Sequence, residues 1–380
     1  MAFTNPDPGN PVVLNVSVLA ANVPSDYTRR FCKVSTGDTN ITTGHLTSVI
    51  ASEIDSIFVT TTDAYKSTET YIWLESFFGR NANGTAYIFE TGTVTTIATN
   101  IAALATFLSD GVGLCYHYAV PSTFYGEATF KTLAALYATD ISATYFDVEV
   151  THGTDPAVDA KFVALAGLKS IFAIYPSAVA GESASGAMAG IMASTIYDLS
   201  STNKNTMFQY KYCPGVTVED LLSSFKTSLN NSAVNYIGRL ISRNVVFNGR
   251  FLDNSSWDYW YAWDTIMVSL QIALSTALYN GSNSPSAVIQ YNQTGIDKLL
   301  SVINGEGIAG KANGTINEFA ESMADDGTTM NNTGTFYAVP FYTYIADNPT
   351  KYAAEIYDGL SGIIQIGRFY RKVVFNVTLA

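Results

Sequence analysis

Charge is scarce in this chain. Asp, Glu, Lys and Arg together make up 14% of its 380 residues, against about 25% in an ordinary globular protein. Basic residues are the scarcest: 20 Lys and Arg face 32 Asp and Glu, for a net charge of −12. No basic stripe survives that balance, which excludes the usual electrostatic footprint of a nucleic-acid binder. Cysteine is limited to Cys32, Cys115 and Cys213, an odd number with wide spacing. That pattern excludes a disulfide framework and a cysteine-ligated metal site and reads as buried free thiols. Histidine is limited to His45, His117 and His152, none at a metal-ligand spacing such as H-E-x-x-H. The longest apolar stretch, 266–278, is broken by Ser269, Gln271 and Ser275 and is too short to span a bilayer. The first residues, Met1 to Pro8, have neither the basic region nor the apolar region of a secretory signal.

Catalytic signatures are missing as well. The chain has no nucleophile elbow, no phosphate-binding P-loop and no dinucleotide fingerprint. Gly305, Gly307 and Gly310 follow a helical pattern and do not link a strand to a helix, the wrong context for a phosphate. His117, flanked by tyrosines in a strand-like run, reads as packing. Asp258, Asp264 and the Asp325-Asp326 pair read as solvated acids. No catalytic residue, metal ligand or cofactor-binding residue is assigned.

Neutral polar residues and aromatics take the place of charge: the chain has 24 Tyr and 21 Phe, and 47% of it is apolar. That surface suits a subunit covered by copies of itself, because interface cores lose charge and gain aromatics. The pattern from 27 to 204 alternates strands and helices, which predicts an α/β layer with parallel pairing. Strands are expected at 54–61, 85–90, 113–120, 143–150 and 170–175. Helices are expected at 67–78, 97–108, 123–137, 155–166 and 183–198. After a polar break at 200–205, a short strand is expected at 208–212. Thr217 caps an expected helix over 217–230, and extended runs meet at an Asn248-Gly249 turn. A long helix is expected from Asp253 to Tyr279. Another runs from Thr294 to Val302 and closes at the glycines after Asn304. A further helix is expected at 315–323, an extended aromatic run at 336–345, a short helix at 351–357 and a β tail at 363–379.

Both ends of the chain therefore carry β-prone segments, 11–19 and 363–379, free to pair in their own subunit or to add to a neighbour's sheet. Trp257, Trp260 and Trp263 recur every three residues at the start of the long helix. They read as core or interface anchors. The alternative is a carbohydrate-binding or carbohydrate-active tail protein that stacks sugars on this stripe.

Several stretches resemble the contractile phage tail sheath family of the myovirus type. They are Asn248-Gly-Arg-Phe-Leu-Asp253, the Trp-led helix, Tyr291-Asn-Gln-Thr-Gly-Ile-Asp-Lys-Leu-Leu300, Tyr65 to Arg80 with the strand after it, and the terminal Lys372 to Leu379. Gln293 stands where the family pattern leads one to expect an acid. The resemblance implies an α/β multi-domain sheath subunit: an N-terminal extended arm at 1–26, an outer α/β domain at 27–204, an inner α+β core domain at 205–360 and a C-terminal β arm at 361–380. It implies a structural, non-enzymatic homo-oligomer without cofactor, built as stacked rings around an inner tail tube protein. Baseplate and tail terminator proteins cap it, and it has neither nucleic-acid contact nor membrane insertion. The resemblance further implies a place in the virion tail, assembly in the host cytoplasm and a role in driving the tube through the host envelope. The arm strands joining subunits would use Val12, Val13, Leu14, Val16 and Val18 at one end. Arg371, Val373, Val374, Phe375 and Val377 would serve at the other, with Lys351 and Arg368 facing the tube.

Overall fold

The structure is a computed structural model that describes residues 12–13, 24–58, 63–93, 96–111, 114–138, 143–194, 199–286, 288–317 and 333–367. After a two-residue strand β1 (Val12–Val13) comes a six-stranded sheet. Its strands are β2 (Phe31–Ser35), β3 (Leu46–Val49), β4 (Ala86–Glu90), β5 (His117–Ala119), β6 (Tyr145–Glu149) and β7 (Ile171–Ile174). Their order is β3-β4-β2-β5-β6-β7. All neighbours run parallel except the edge strand β3, which is antiparallel to β4. The helices that connect and flank them are α1 (Glu69–Phe78), α2 (Ile97–Asp110), α3 (Ala128–Tyr137), α4 (Ala160–Val163) and α5 (Ala184–Met192).

Alternation along the strands supplies two cores, as a sheet buried on both faces requires. Phe31, Ile88, Tyr145 and Phe172 point to the side of α1 and α5. Cys32, Val34, Phe89, Phe146 and Val148 point to the side of α2 and α3. Sequence beyond 204 completes both. Helix α6 (Ser223–Asn231) adds Leu229 to the second core. The hairpin β8 (Tyr236–Leu240) and β9 (Arg243–Phe247) follows beside β7. Asn235 joins them: its N–H donates to Ala173 O at 2.8 Å, and its carbonyl accepts from Tyr175 N at 2.7 Å. The long α7 (Trp257–Asn283) lays Trp257, Tyr261, Ile266 and Leu270 into the first core. Then come α8 (Gln293–Ala312), β10 (Thr335–Ala338), α9 (Phe341–Asp347), α10 (Pro349–Ala353) and β11 (Leu360–Ile364).

Several expectations change, each for a local reason. Residues 51–57 form a 3-10 helix and not the start of a strand. Glu53 accepts from the Ile50 amide, and Ile54 and Ile57 bury at a spacing of three. The helix expected over 155–166 shrinks to α4, because Asp155 folds its carboxylate onto the Ala157 amide and the cap falls at Asp159. Thr217 starts no helix. Its amide and hydroxyl both donate to Glu182, and α6 begins six residues later. Residues 208–212 carry a bridge from Tyr212 to Val245 but no strand, with Tyr210 left-handed at φ +70°. The β8–β9 reversal falls at Ile241-Ser242, upstream of Asn248-Gly249. The aromatic run 336–345 splits at Val339-Pro340 into β10 and α9.

Helix α7 passes through Gly281 to Asn283, and α8 passes through Gly305, Gly307 and Gly310 to Ala312. In α8 two of those glycines mark close approach and not a stop. A Cβ on Gly307 would sit 2.1 Å from the Gly334 carbonyl oxygen, and one on Gly310 2.7 Å from Ile316 Cδ1. A Cβ on Gly305 meets open space. Gly305→Ala is therefore expected to stabilise the chain by about 0.5–1 kcal/mol through helix propensity. Gly307→Ala is expected to destabilise it by about 1–3 kcal/mol through overpacking. Denaturant titration of the two variants checks this, and shifts of the same sign would refute the close-packing explanation.

Candidate assembly surfaces

The start of α7 is tied to the sheet by buried polar groups. Trp257 Nε1 donates to His117 Nε2 at 3.1 Å. That nitrogen accepts, so the ring proton sits on Nδ1, 2.6 Å from Asp147 Oδ1. About two helical turns further on, Asp264 Oδ2 accepts from Tyr116 Oη at 2.9 Å and from Tyr145 Oη at 2.8 Å. Lys169 Nζ lies 3.3 Å from the centre of the Trp260 ring, within cation–π range. Burial drives the Asp264 carboxyl up to about 6, against the opposing pull of Lys169 and the two tyrosine hydroxyls. Asp258 and Asp264 are both buried, which corrects their reading as solvated acids. The sequence held one usable signal for this: on α7 both lie among buried aromatics. An Asp–His pair invites a catalytic reading, but His117 is fully enclosed and its second nitrogen meets an indole, not a nucleophile.

Trp257, Trp260 and Trp263 are 0%, 5% and 2% exposed. They offer no face to a sugar, so the carbohydrate stripe is overturned. Its physical reason is the helix phase, which turns all three toward the sheet.

At the carboxyl ends of β5 and β6, where open α/β sheets place ligands, lies a cavity of about 240 Å³ lined by Lys33, Glu69, Tyr125, Glu149 and Ser183 among others. Its charged groups already have partners within the chain. Lys33 pairs with Glu69 at 3.3 Å, Ser122 Oγ donates to Glu69 at 2.6 Å, and Glu149 accepts from Ser185 N at 3.1 Å. Glu90, buried at the end of β4, accepts from Ser35 Oγ, Thr39 Oγ1, Gly37 N and Gly92 N, each at 2.7 Å. Among the described residues no three ligating side chains gather as a metal site, and no helix is long and apolar enough to cross a membrane. Cys32, Cys115 and Cys213 are buried free thiols, and burial pushes Cys213 up to about 12.

The segments near the two chain ends meet in a second sheet of order β1-β11-β10, antiparallel throughout. Val12 pairs with Ile364 and Val13 with Ile363 of the same chain. Helix α8 braces this sheet. Asn304 Oδ1 accepts from the Phe336 amide at 2.9 Å, and Gly307 packs under Gly334. Lys351 sits on α10 in an ion pair with Asp358. Leu14, Val16, Val18, Arg368, Arg371, Val373, Val374, Phe375 and Val377 lie outside the described residues, as does most of the helix expected at 315–323. Large apolar side chains are bare around this end of the molecule: Tyr342 on α9, Tyr352 on α10, Ile356 after it and Ile308 on α8.

No protein-family model matches the sequence, and no curated protein matches it. Solved structures do. A chain of the anti-feeding prophage baseplate aligns over 93% of this chain and 94% of its own length at TM-score 0.60 and 16% identity. The contracted-state sheath complex of an extracellular contractile injection system, PVC, aligns over 96% and 95% at TM-score 0.55 and 12% identity. A sheath tail protein from Listeria innocua aligns over 82% and 88% at TM-score 0.53 and 7% identity. The chain has the fold of contractile sheath proteins, an α/β multi-domain fold with a mixed sheet.

The raised Asp264 sets a pH dependence. Its neutral form is favoured in the folded state, so the stability it contributes is fully present below its ordinary value near 4 and is lost as pH rises through about 6. Asp264→Asn keeps the neutral shape at every pH. Between pH 4 and 7 the parent chain should lose about 2 kcal/mol of stability relative to that variant, read as the difference between their denaturant midpoints at each pH. A constant difference would show that Asp264 ionises as freely in the folded chain as in the unfolded one.

Proposed function

We propose that this chain is the sheath subunit of a contractile tail or related injection machine. It polymerises in stacked rings around an inner tube and contracts to drive that tube through an envelope. The observation that carries the reading is the β1-β11-β10 sheet, in which residues close to both chain ends already pair as strands at the border of the folded body. The fold shared with sheath proteins, the low charge and the bare aromatics at that border support it.

On this reading β1, paired with β11 of its own chain and lying at the edge of that sheet, and the segments 14–18 and 371–377 join sheets of neighbouring subunits. Main-chain hydrogen bonds keep the subunits linked while they rotate as rigid bodies. Contraction draws its free energy from surface buried in the shorter state and needs no cofactor. The 27–204 layer faces outward, 205–360 lies nearer the tube, and Lys351 and Arg368 approach it. The partners are further copies of the chain, the tube protein, and baseplate and terminator proteins; the site is the tail of the particle, assembled in the host cytoplasm before genome ejection.

Purified chain is expected to form tubular or helical polymers visible by negative-stain microscopy. Removal of 368–380, which leaves β11 intact, should yield folded monomers with an unchanged circular dichroism spectrum. Full-length protein that stays monomeric at high concentration would count against the proposal.

A further inference from the structure

The β8–β9 hairpin ends in Arg239-Leu240-Ile241-Ser242-Arg243, and nothing among the described residues explains that tip. Strands β8 and β9 join through two residues, Ile241 and Ser242. Two-residue hairpin connections of this kind take Gly, Asn or Asp where φ is positive. Here Ile241 has φ +59°, a left-handed backbone that a β-branched residue adopts at a steric cost. No contact offsets the cost, because Ile241 is 95% exposed, and Leu240 beside it is exposed too.

The tip is not loose chain. Its base is fixed by the Tyr236 and Phe247 rings, stacked across the strands at 5.0 Å and 6°. Val245 and Val246 are buried in the body. An apolar, strained side chain is thus held out rigidly into solvent. On either side stand Arg239 and Arg243, both exposed, with no acidic partner among the described residues. Two unpaired guanidinium groups are conspicuous in a chain that carries 12 more acids than bases.

We propose that this hairpin tip is a homotypic docking knob: Leu240 and Ile241 enter an apolar recess on a second copy of the chain while Arg239 and Arg243 meet its carboxylates. Charge complementarity selects the occupant. A copy of net charge −12 presents acids in the same stretch as its bare apolar residues: Asp347 and Glu355 are exposed within 342–356, as are Tyr342, Tyr352 and Ile356. The proposal rests on the polymerising function above and adds to it a contact made by side chains, separate from the terminal strands.

The test compares full-length chain with Ile241→Gly and with the double variant Arg239→Glu, Arg243→Glu. The readouts are the thermal midpoint of dilute monomer and the concentration at which polymers appear by sedimentation and negative stain. Ile241→Gly should raise the monomer midpoint, because glycine takes the left-handed backbone without strain. It should raise the polymerisation concentration at least tenfold. The double variant should leave the midpoint within error, require a similarly higher concentration, and lose the salt sensitivity that the parent shows. A lower midpoint in Ile241→Gly, or either variant polymerising at the parent's concentration, overturns the knob while leaving the sheath function standing. Parent protein that never polymerises removes both.

Discussion

Everything in this molecule hangs on the seat of α7 against the six-stranded sheet. The segment after residue 204 does not fold beside the α/β layer as a neighbour. It drives Trp257, Tyr261 and Asp264 into the face formed by Phe31, Tyr116, Tyr145 and Phe172. The apolar area fixes the approach. The two polar contacts, indole to His117 and tyrosine hydroxyls to Asp264, fix rotation and register, because a buried donor or acceptor left unmade costs about 1–3 kcal/mol. A slip of α7 by one residue would break both at once. The terminal sheet and the hairpin are carried on that frame, α8 packing on α7 and β10 on α8.

Periodicity was enough to read β4 to β7, α1, α2 and α7, because each buries one face at the spacing its own geometry demands, whereas β2 and β3 went unread. Its failures share a cause. Thr217 is held by the distant Glu182, while Asp155 and Glu53 accept from main-chain amides two and three positions away, and those hydrogen bonds decided where helices began. The glycines of α8 read as a stop because, in isolation, Gly weakens a helix. They are there because Gly334 and Ile316 press against that face. The Asp147–His117–Trp257 chain was beyond reach, since its members lie 30 and 140 positions from His117. The tryptophans, in contrast, were placed correctly on the apolar side of α7 by their own spacing and that of Met267, Leu270 and Leu274.

Low charge has two consequences that point the same way. Inside, the charges that do occur are consumed in fixed pairs: Lys33 with Glu69, Glu90 with its four donors, Lys169 over Trp260. Outside, charge is thinly spread among Tyr, Thr, Ser, Asn and aliphatic groups, which repel neither one another nor a neighbouring copy. A monomer adapted to solitude would place charge at Ile241 and Tyr342, the positions most costly to leave apolar in water.

The two kinds of contact available to this chain differ in what they tolerate. A strand added to a sheet is held by main-chain hydrogen bonds that are indifferent to side chains and survive a twist of the connecting segment. A side-chain knob in a recess is specific to one relative orientation, since packing falls off within an ångström of mismatch. An assembly that keeps its links while it changes shape needs contacts of the first kind to persist and contacts of the second kind to be exchanged. The terminal sheet has the chemistry of the first. The tip of β8–β9, rigid at its base and apolar at its point, has the chemistry of the second. Its position in only one of the assembled states would let it bias the equilibrium between them by as much as its burial differs.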